Sequence, residues 1–140
     1  MRNKKKFIKV AIDSPAAAGA GTIALSISKH YNLLYLDTGK AYRYLAMLKI
    51  KNPKKFTINF AKKKINKLKI KDLNKKNLLY NKIGIEASII AKKKSIRDLV
   101  HKFQLKLAYS PPKKYSGSCL DGRDITCLLY TSPSPRDLST

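Results

Sequence analysis

Three short apolar runs, each ended by an aspartate, constrain the fold of this chain more than any other feature of its sequence. Their composition is typical of β-strands. Only eight residues of the chain are acidic, and four of them lie at or just after these runs. Because α/β proteins build their sites at strand ends, these acids indicate a functional edge of a sheet. The runs are residues 7–12, 33–36 and 117–120, and the acids are Asp13, Asp37, Asp121 and Asp124.

The first two runs and the segment between them predict a βαβ unit. A small-residue loop over residues 14–21 leads into a segment in which Ile23 and Ile27 are four residues apart, which is the spacing of a helix face. The second run follows at about the distance that such a unit requires. We therefore predict an α/β fold with a parallel sheet and flanking helices.

Between the second and third runs the chain is predicted to be mainly helical. Thr38 can cap a helix that ends before Pro53, and helical periodicity returns over residues 78–91. A further helix begins at Ser95 and is stopped by a Pro-Pro pair. Residues 49–77 are rich in Lys and Asn with weak periodicity, which predicts a small insert of short helices with room for a hairpin.

The net charge of +23 favours a polyanionic partner at first sight. However, 26 of the 31 basic residues are Lys and only five are Arg, whereas planar recognition of phosphates and base edges favours Arg. Lys here accompanies 14 Ile and 8 Asn, a composition that A/T-rich coding sequence produces. This disfavours a dedicated nucleic-acid surface. Two cysteines without a C-x-x-C pair predict a reducing compartment, and no apolar stretch predicts a membrane span.

Residues 14–22 lie between a predicted strand and a predicted helix, which is the position of a phosphate-binding loop. Such a loop surrounds phosphate with backbone N–H groups and a helix N-terminus, and a lysine normally bridges the outer phosphates. Position 14 is serine where the motif has glycine, and position 20 is alanine where it has lysine. From these residues alone, a turn that binds no ligand remains an open alternative. The candidate loop residues are Ser14, Ala18, Gly19, Ala20, Gly21 and Thr22.

Four signatures in the same order resemble those of the cytidylate kinase family. The loop resembles the family's D-G-P-x-G-x-G-K-G-T, and residues 37–43 resemble its D-[ST]-G-x-x-Y-R. Arg97 and Gln104 match R-x6-Q, with Ser88 nine residues before Arg97, and residues 121–124 match D-G-R-D. The resemblance implies a P-loop nucleoside monophosphate kinase fold, with a parallel sheet, flanking helices and a small substrate-binding insert.

The resemblance also implies phosphoryl transfer from ATP to CMP or dCMP with Mg²⁺, a reaction that depends on positioning and on neutralisation of charge. It implies catalytic roles for Arg43, Arg123 and Asp121, and it places Thr22 and Asp121 near the Mg²⁺. The residues implied for CMP binding are Thr38, Arg43, Ser88, Arg97, Arg123 and Asp124. The implied partners are these nucleotides, for a protein that we expect to be a cytoplasmic monomer.

Several of these residues also have an ordinary structural interpretation. Thr38 can be only a helix cap, Arg43 a solvated helix residue and Ser88 a small packing residue. Residues 121–124 can be a plain turn, since Asp-Gly is common turn chemistry. At the level of the whole protein, a nucleotide-binding relative that transfers no phosphate and a basic nucleic-acid-binding protein are the alternatives.

Alanine at position 20 removes a charged contact worth about 1.5–3 kcal/mol. Four of the chain's 12 alanines nevertheless fall within residues 16–20, and each keeps the loop small enough for backbone N–H groups to approach phosphate. We therefore expect the loop to bind phosphate through its backbone, with the missing charge supplied by another residue such as Lys40 or a lid arginine.

The expected domain organisation is a partial kinase domain over residues 1–126 that ends before the lid. Its core comprises residues 1–48 and 96–126, and its nucleotide-binding insert comprises residues 49–95. The remaining residues, 127–140, resemble the conceptual translation of a sequencing-library adaptor, and a disordered Ser/Pro tail is the alternative. We expect this tail to lie outside the fold.

Overall fold

The computed structural model describes residues 8–13 and 20–122, which form two compact units. Among the described residues, the first unit comprises those up to Asp37 and those from Gln104 to Gly122, and the second comprises Thr38–Phe103. The elements in chain order are β1 (Ile8–Asp13), α1 (Ala20–Tyr31), β2 (Leu33–Asp37), α2 (Thr38–Lys51), α3 (Ile58–Asn66), α4 (Ile70–Leu73), a 3₁₀ helix (Lys76–Leu79), α5 (Asn81–Ile90), α6 (Lys94–Tyr109) and β3 (Gly117–Gly122).

The first unit is built on a parallel sheet with the strand order β1, β3, β2. Gly117, at the start of β3, pairs in register with Ile8 of β1 and with Leu33 of β2. The first five residues of β3 are all buried. A strand with neighbours on both sides is expected to be this buried, because it is shielded at its edges as well as on its faces. The predicted α/β fold with a parallel sheet is thus confirmed.

Helix α1 packs against β2 and β3 through small side chains. Ala24 on this helix is fully buried against Leu33 and Cys119. The carbonyl of Ala24 accepts a hydrogen bond from the Ser28 hydroxyl at 2.7 Å and a weaker one from the Cys119 thiol at 3.8 Å. Burial raises the pKa of Cys119, so this residue remains a neutral thiol that packs in the core.

Two strands approach so closely at Gly117 that no side chain fits there. A Cβ atom at this position would overlap the carbonyl oxygen of Ile8 and lie 2.7 Å from the Ile8 nitrogen. The Ile8 amide also donates to the Ser116 carbonyl at 3.2 Å, which holds the start of β1 against the start of β3. Glycine at position 117 is therefore required by the pairing of the two strands.

The turn between α1 and β2 is formed by Asn32, whose φ of 54° lies in the left-handed region. Asparagine tolerates this conformation better than most residues at a helix C-terminus. Its side chain donates to the Lys114 carbonyl at 2.8 Å, and its own carbonyl accepts from the Ser116 amide at 2.8 Å. Asn32 thereby connects the end of α1 to the segment that leads into β3.

The second unit is a cluster of helices in which α2 packs against α5. An ion pair between Lys49 and Glu86, 2.6 Å long, joins the same two helices at the edge of their contact. Thr57 caps α3 by accepting a hydrogen bond from the Phe60 amide at 3.2 Å. The buried core consists of Ala41, Leu45, Ala46, Met47, Ala61, Ile65, Leu78, Ile83, Ala87, Ile90, Ile96 and Val100.

The structure differs from the sequence prediction mainly inside the insert. The predicted helix over residues 78–91 is divided, because Tyr80 has an extended backbone (φ −61°, ψ 140°) between the 3₁₀ helix and α5. Residues 49–77, all of them described, contain helices and no strand, so the hairpin is absent. Ala61 and Ile65, four residues apart, point one side of α3 into the core, which favours a helix over a strand.

The second unit, Thr38–Phe103, does not have the same boundaries as the predicted insert of residues 49–95. The division of the chain into a kinase core and this insert stays a prediction. The predicted tail, residues 127–140, lies outside the described residues. Within the parts of the chain that the structure describes, no helix combines the length and the apolar composition that crossing a membrane requires.

Candidate functional site

In the first unit, three carboxylates lie at the carboxyl ends of the three parallel strands. Asp13 ends β1 and Asp37 ends β2, while Asp121 is the next-to-last residue of β3. In register, Asp121 pairs with Asp37 on one side and with Ile12 on the other. These ends meet at one edge of the sheet, as the sequence predicts, and this edge is where α/β proteins bind ligands.

A tyrosine that belongs to none of the sequence signatures contacts the central carboxylate. The Tyr35 hydroxyl donates a hydrogen bond to Asp121 Oδ2 at 2.7 Å. Burial, together with this hydrogen bond and the negative charge of Asp121, raises the pKa of Tyr35 well above its ordinary value of 10.0. The phenol therefore stays protonated at neutral pH and remains a donor. The sequence carries one signal for this contact: side chains alternate along a strand, so Tyr35 lies on the same face of β2 as Asp37.

The same two oxygens lie beside the first turn of α1. A Cβ atom built on Gly21 would be 3.6 Å from both Asp121 Oδ2 and the Tyr35 hydroxyl oxygen. Ala20 is the first residue of α1, and Gly21 and Thr22 follow it on the exposed side of the turn. The N-terminal turn of a helix carries unpaired N–H groups and a partial positive charge, so it favours anions. The other predicted loop residues, Ser14, Ala18 and Gly19, lie outside the described residues.

The residues present here fit a Mg²⁺ ion. Mg²⁺ prefers oxygen ligands, and it usually binds through one or two carboxylates, several waters and phosphate oxygens. The Asp121 carboxylate lies next to Gly21, and Thr22, with its hydroxyl, is the following residue. The described residues hold no group of three or more His, Cys, Asp or Glu side chains arranged for a metal. A Mg²⁺ bound here would depend on water and phosphate for most of its ligands.

In the second unit, Arg43 of α2 is oriented by a backbone carbonyl. Its Nη1 donates to the Leu78 carbonyl at 3.0 Å. Gly84 of α5 leaves space for the guanidinium, because a Cβ atom there would lie 3.0–3.1 Å from the two terminal nitrogens of Arg43. The guanidinium is therefore held flat against α5 with its orientation determined by two neighbouring segments.

Arg97, near the start of α6, is held in a comparable way. Its Nη1 donates to the carbonyls of Ala91 and Lys92, at 3.2 and 2.7 Å, just beyond the end of α5. The charge of Arg97 also reaches the phenol of Tyr42, where it opposes the rise in pKa that burial causes. Neither Arg43 nor Arg97 forms an ion pair with a carboxylate among residues 8–13 and 20–122.

The remaining predicted binding residues differ in burial and in whether the structure describes them. Thr38 is the first residue of α2 and is buried. Ser88 is exposed, and its hydroxyl donates to the Gly84 carbonyl one turn earlier at 3.1 Å. Arg123 and Asp124 lie outside the described residues. Ser88 of α5 and Arg43 of α2 thus both lie beside Gly84, so these two predicted binding residues are close to the same point of α5.

A parallel sheet with acids at the carboxyl ends of its strands, and a helix that begins beside them, place the protein in the class of α/β proteins whose ligand sites lie at this edge of the sheet. Comparison with known proteins narrows this class. The sequence model of cytidylate kinase matches residues 10–133. The cytidylate kinase of Bartonella tribocorum is 39% identical over 128 residues, and that of Bartonella quintana is 40% identical over 130; both alignments cover 89% of this chain and 56% of the relative.

A third relative, the cytidylate kinase of Mesorhizobium japonicum, is 35% identical over 121 residues, which cover 86% of this chain and 54% of that protein. The chain belongs to the cytidylate kinase family. It spans just over half the length of these relatives.

Proposed function

We propose that the protein transfers a phosphoryl group from ATP to CMP or dCMP, with ADP and CDP or dCDP as products. The proposal depends on how Arg43 and Arg97 are held. Both are partly buried, both are oriented by backbone carbonyls, and neither has an acidic partner among the described residues. An arginine has five N–H donors, and orienting it without neutralising it suits it to an anionic or polar ligand.

On the donor side, the loop before α1 and the first turn of α1 would hold the phosphates of ATP through backbone N–H groups. Thr22 and Asp121 would hold Mg²⁺ there. Mg²⁺ held by these two residues would supply positive charge that neutralises the charge developing on the phosphates. What this chain itself contributes is a helix terminus, a carboxylate and a phenol in contact with that carboxylate.

On the acceptor side, Arg43 and Arg123 would bind the CMP phosphate, and Ser88 would lie near the sugar. Thr38, Arg97 and Asp124 would meet the cytosine edge. A hydroxyl, a guanidinium and a carboxylate supply both donors and acceptors. A base with the wrong pattern would leave some of them unpaired, which is a strong basis for rejection. A monomer in the cytoplasm is the form in which we expect the protein to act.

The proposal is tested by titrating the protein with CMP, dCMP, UMP and AMP in a calorimeter and by assaying ATP-dependent phosphorylation of each. We expect CMP and dCMP to bind most tightly and to be phosphorylated. Binding without phosphorylation would show a relative that no longer transfers phosphate. Absence of CMP binding, together with uptake of oligonucleotide that falls steeply with salt, would replace the proposal by a nucleic-acid-binding function.

Replacing Arg97 with methionine is expected to reduce selectivity for the base. CMP affinity should fall about tenfold, because one charged hydrogen bond contributes about 1.5–3 kcal/mol. The ratio of CMP to UMP affinity should fall toward one. Lys93→Met, at an exposed lysine four residues earlier, removes the same charge and should leave the ratio unchanged. Urea unfolding of both variants reports how much stability the contacts to Ala91 and Lys92 contribute. An unchanged CMP to UMP ratio in Arg97→Met would exclude base recognition by Arg97.

Position 20 allows a separate test of the phosphate loop. We expect the unmodified protein to bind ATP, and we expect Ala20→Lys to increase the affinity by less than about tenfold, since another residue is proposed to supply the charge. ATP titration of both proteins measures this. If only the lysine variant binds ATP, the compensation hypothesis is wrong and the loop has lost its function.

A further inference from the structure

The contact between Tyr35 and Asp121 follows from the register of the sheet. Tyr35 of β2 pairs with Cys119 of β3, and Asp121 is two residues beyond Cys119. In parallel strands, residues two apart point to the same face, so a long side chain at position 35 can reach the carboxylate at position 121. The hydroxyl meets Oδ2 at 2.7 Å, a short hydrogen bond of the strength expected for a charged acceptor.

This hydrogen bond lies where the orientation of a carboxylate is important. Asp121 is 6% exposed, and its Oδ2 and the phenol oxygen are both 3.6 Å from the position of a Cβ on Gly21. Any movement of the carboxylate would therefore change what the first turn of α1 faces. The hydrogen bond from Tyr35 favours the one rotamer of Asp121 in which Oδ2 meets the phenol oxygen.

We propose that Tyr35 is a positioning residue: its hydroxyl holds the Asp121 carboxylate in one orientation beside the first turn of α1, toward the Mg²⁺ of a bound nucleoside triphosphate. The inference rests on the proposed function, since it requires that the α1 terminus binds Mg²⁺ with ATP. Partners behind a metal ligand commonly change metal affinity by 10- to 100-fold when they are removed, without themselves touching the metal. Tyr35 has that relation to Asp121.

The test uses Tyr35→Phe, which retains the ring and removes the hydroxyl. ATP binding is measured by calorimetry over a range of Mg²⁺ concentrations and again with the metal chelated. Mg²⁺ is expected to increase ATP affinity, and the Mg²⁺ concentration at half of this increase is the quantity compared. We expect it to be about tenfold higher in Tyr35→Phe than in the unmodified protein. ATP affinity without Mg²⁺ should stay within about twofold. A purely structural role would lower both affinities together, so this split identifies positioning.

Tyr31→Phe is the matched control. Tyr31 lies at the end of α1, is 54% exposed and contacts His30 edge to face, so removal of its hydroxyl should leave the Mg²⁺ dependence unchanged. A second comparison adds Tyr35→Phe to an Asp121→Asn protein. There we expect no further change in the Mg²⁺ dependence, because the carboxylate through which Tyr35 acts is already absent.

The outcomes test the positioning role of Tyr35 and the proposed function separately. If the unmodified protein shows Mg²⁺-dependent ATP binding and Tyr35→Phe retains the same dependence, the positioning role is overturned and the proposed function stands. A further loss on adding Tyr35→Phe to Asp121→Asn also overturns it. If the unmodified protein binds ATP with no effect of Mg²⁺, or binds none, the donor side of the proposed function fails and the inference fails with it.

Discussion

Arg43→Ala is expected to weaken CMP binding by ten- to a hundredfold while leaving the affinity for cytidine, which has no phosphate, nearly unchanged. Arg43 is the only one of the two proposed phosphate arginines that lies within the described residues, and its guanidinium is already oriented by the Leu78 carbonyl and by the space at Gly84. A charged hydrogen bond contributes about 1.5–3 kcal/mol, which corresponds to this range of affinity. Calorimetric titration with CMP and with cytidine measures both affinities.

Two further variants separate charge from geometry. Arg43→Lys retains the positive charge but loses the planar fork, so we expect it to recover only part of the CMP affinity. Lys51→Ala removes an exposed charge from the same helix and should have little effect. Loss of the contact to Leu78 alone should cost about 1 kcal/mol of stability, which urea unfolding reports. Equal losses of affinity for CMP and for cytidine would show that Arg43 does not bind the phosphate.

Gly117→Ala is expected to destabilise the first unit by about 3 kcal/mol or more, a large part of the roughly 5–15 kcal/mol that stabilises an ordinary domain. The added methyl group would overlap the Ile8 carbonyl oxygen. This oxygen belongs to the backbone of β1, which is paired in register with Gly117 and cannot rotate away as a side chain could. β1 can relieve this overlap only by moving away from β3, which breaks the hydrogen bonds between them. Urea unfolding followed by circular dichroism measures the change in the free energy of unfolding.

Ser116→Ala is the neighbouring control, since it lies one residue before β3 and leaves the backbone contacts of Ser116 with Ile8 and Asn32 intact. We expect this substitution to change stability by less than about 1 kcal/mol. If Gly117→Ala proves as mild as Ser116→Ala, then β1 and β3 are not as close at this point as the structure describes.

The strands and most helices of this chain could be predicted because their signals are local. Asp13, Asp37 and Asp121 ended apolar runs, and each of them lies at the carboxyl end of a strand or one residue before it. The order of the strands could not be obtained in this way, because nothing in residues 117–120 alone says that this run lies between the other two. Inside the insert, the Lys/Asn-rich composition gives α3 only a weak helical pattern. This helix depends on the packing of Ala61 and Ile65 into a core formed by residues that are distant in sequence.

The site was predictable in its residues and not in their contacts. Arg43 and Arg97 belong to family motifs, but no motif marks their backbone partners, which are Leu78, Ala91 and Lys92. Tyr35 is not marked by a motif either: a tyrosine in an apolar strand usually indicates packing, and its contact with Asp121 depends on the register with β3. The roles of Arg123 and Asp124, and of the loop residues before Ala20, stay predictions from the family signatures.

The central position of β3 has a consequence for how this chain reaches its native state. β1 and β2 are separated by only one helix in sequence, yet they do not pair with each other. Both pair with β3, which begins about 80 residues after the end of β2 and about 104 residues after the end of β1. Closing so long a loop costs entropy before any strand contact is gained, and nonlocal pairing of this kind slows folding. The helices of residues 38–103 depend on closer neighbours and can form first. During synthesis, the acids at the strand ends would therefore come together only after the arginine-bearing helices have left the ribosome.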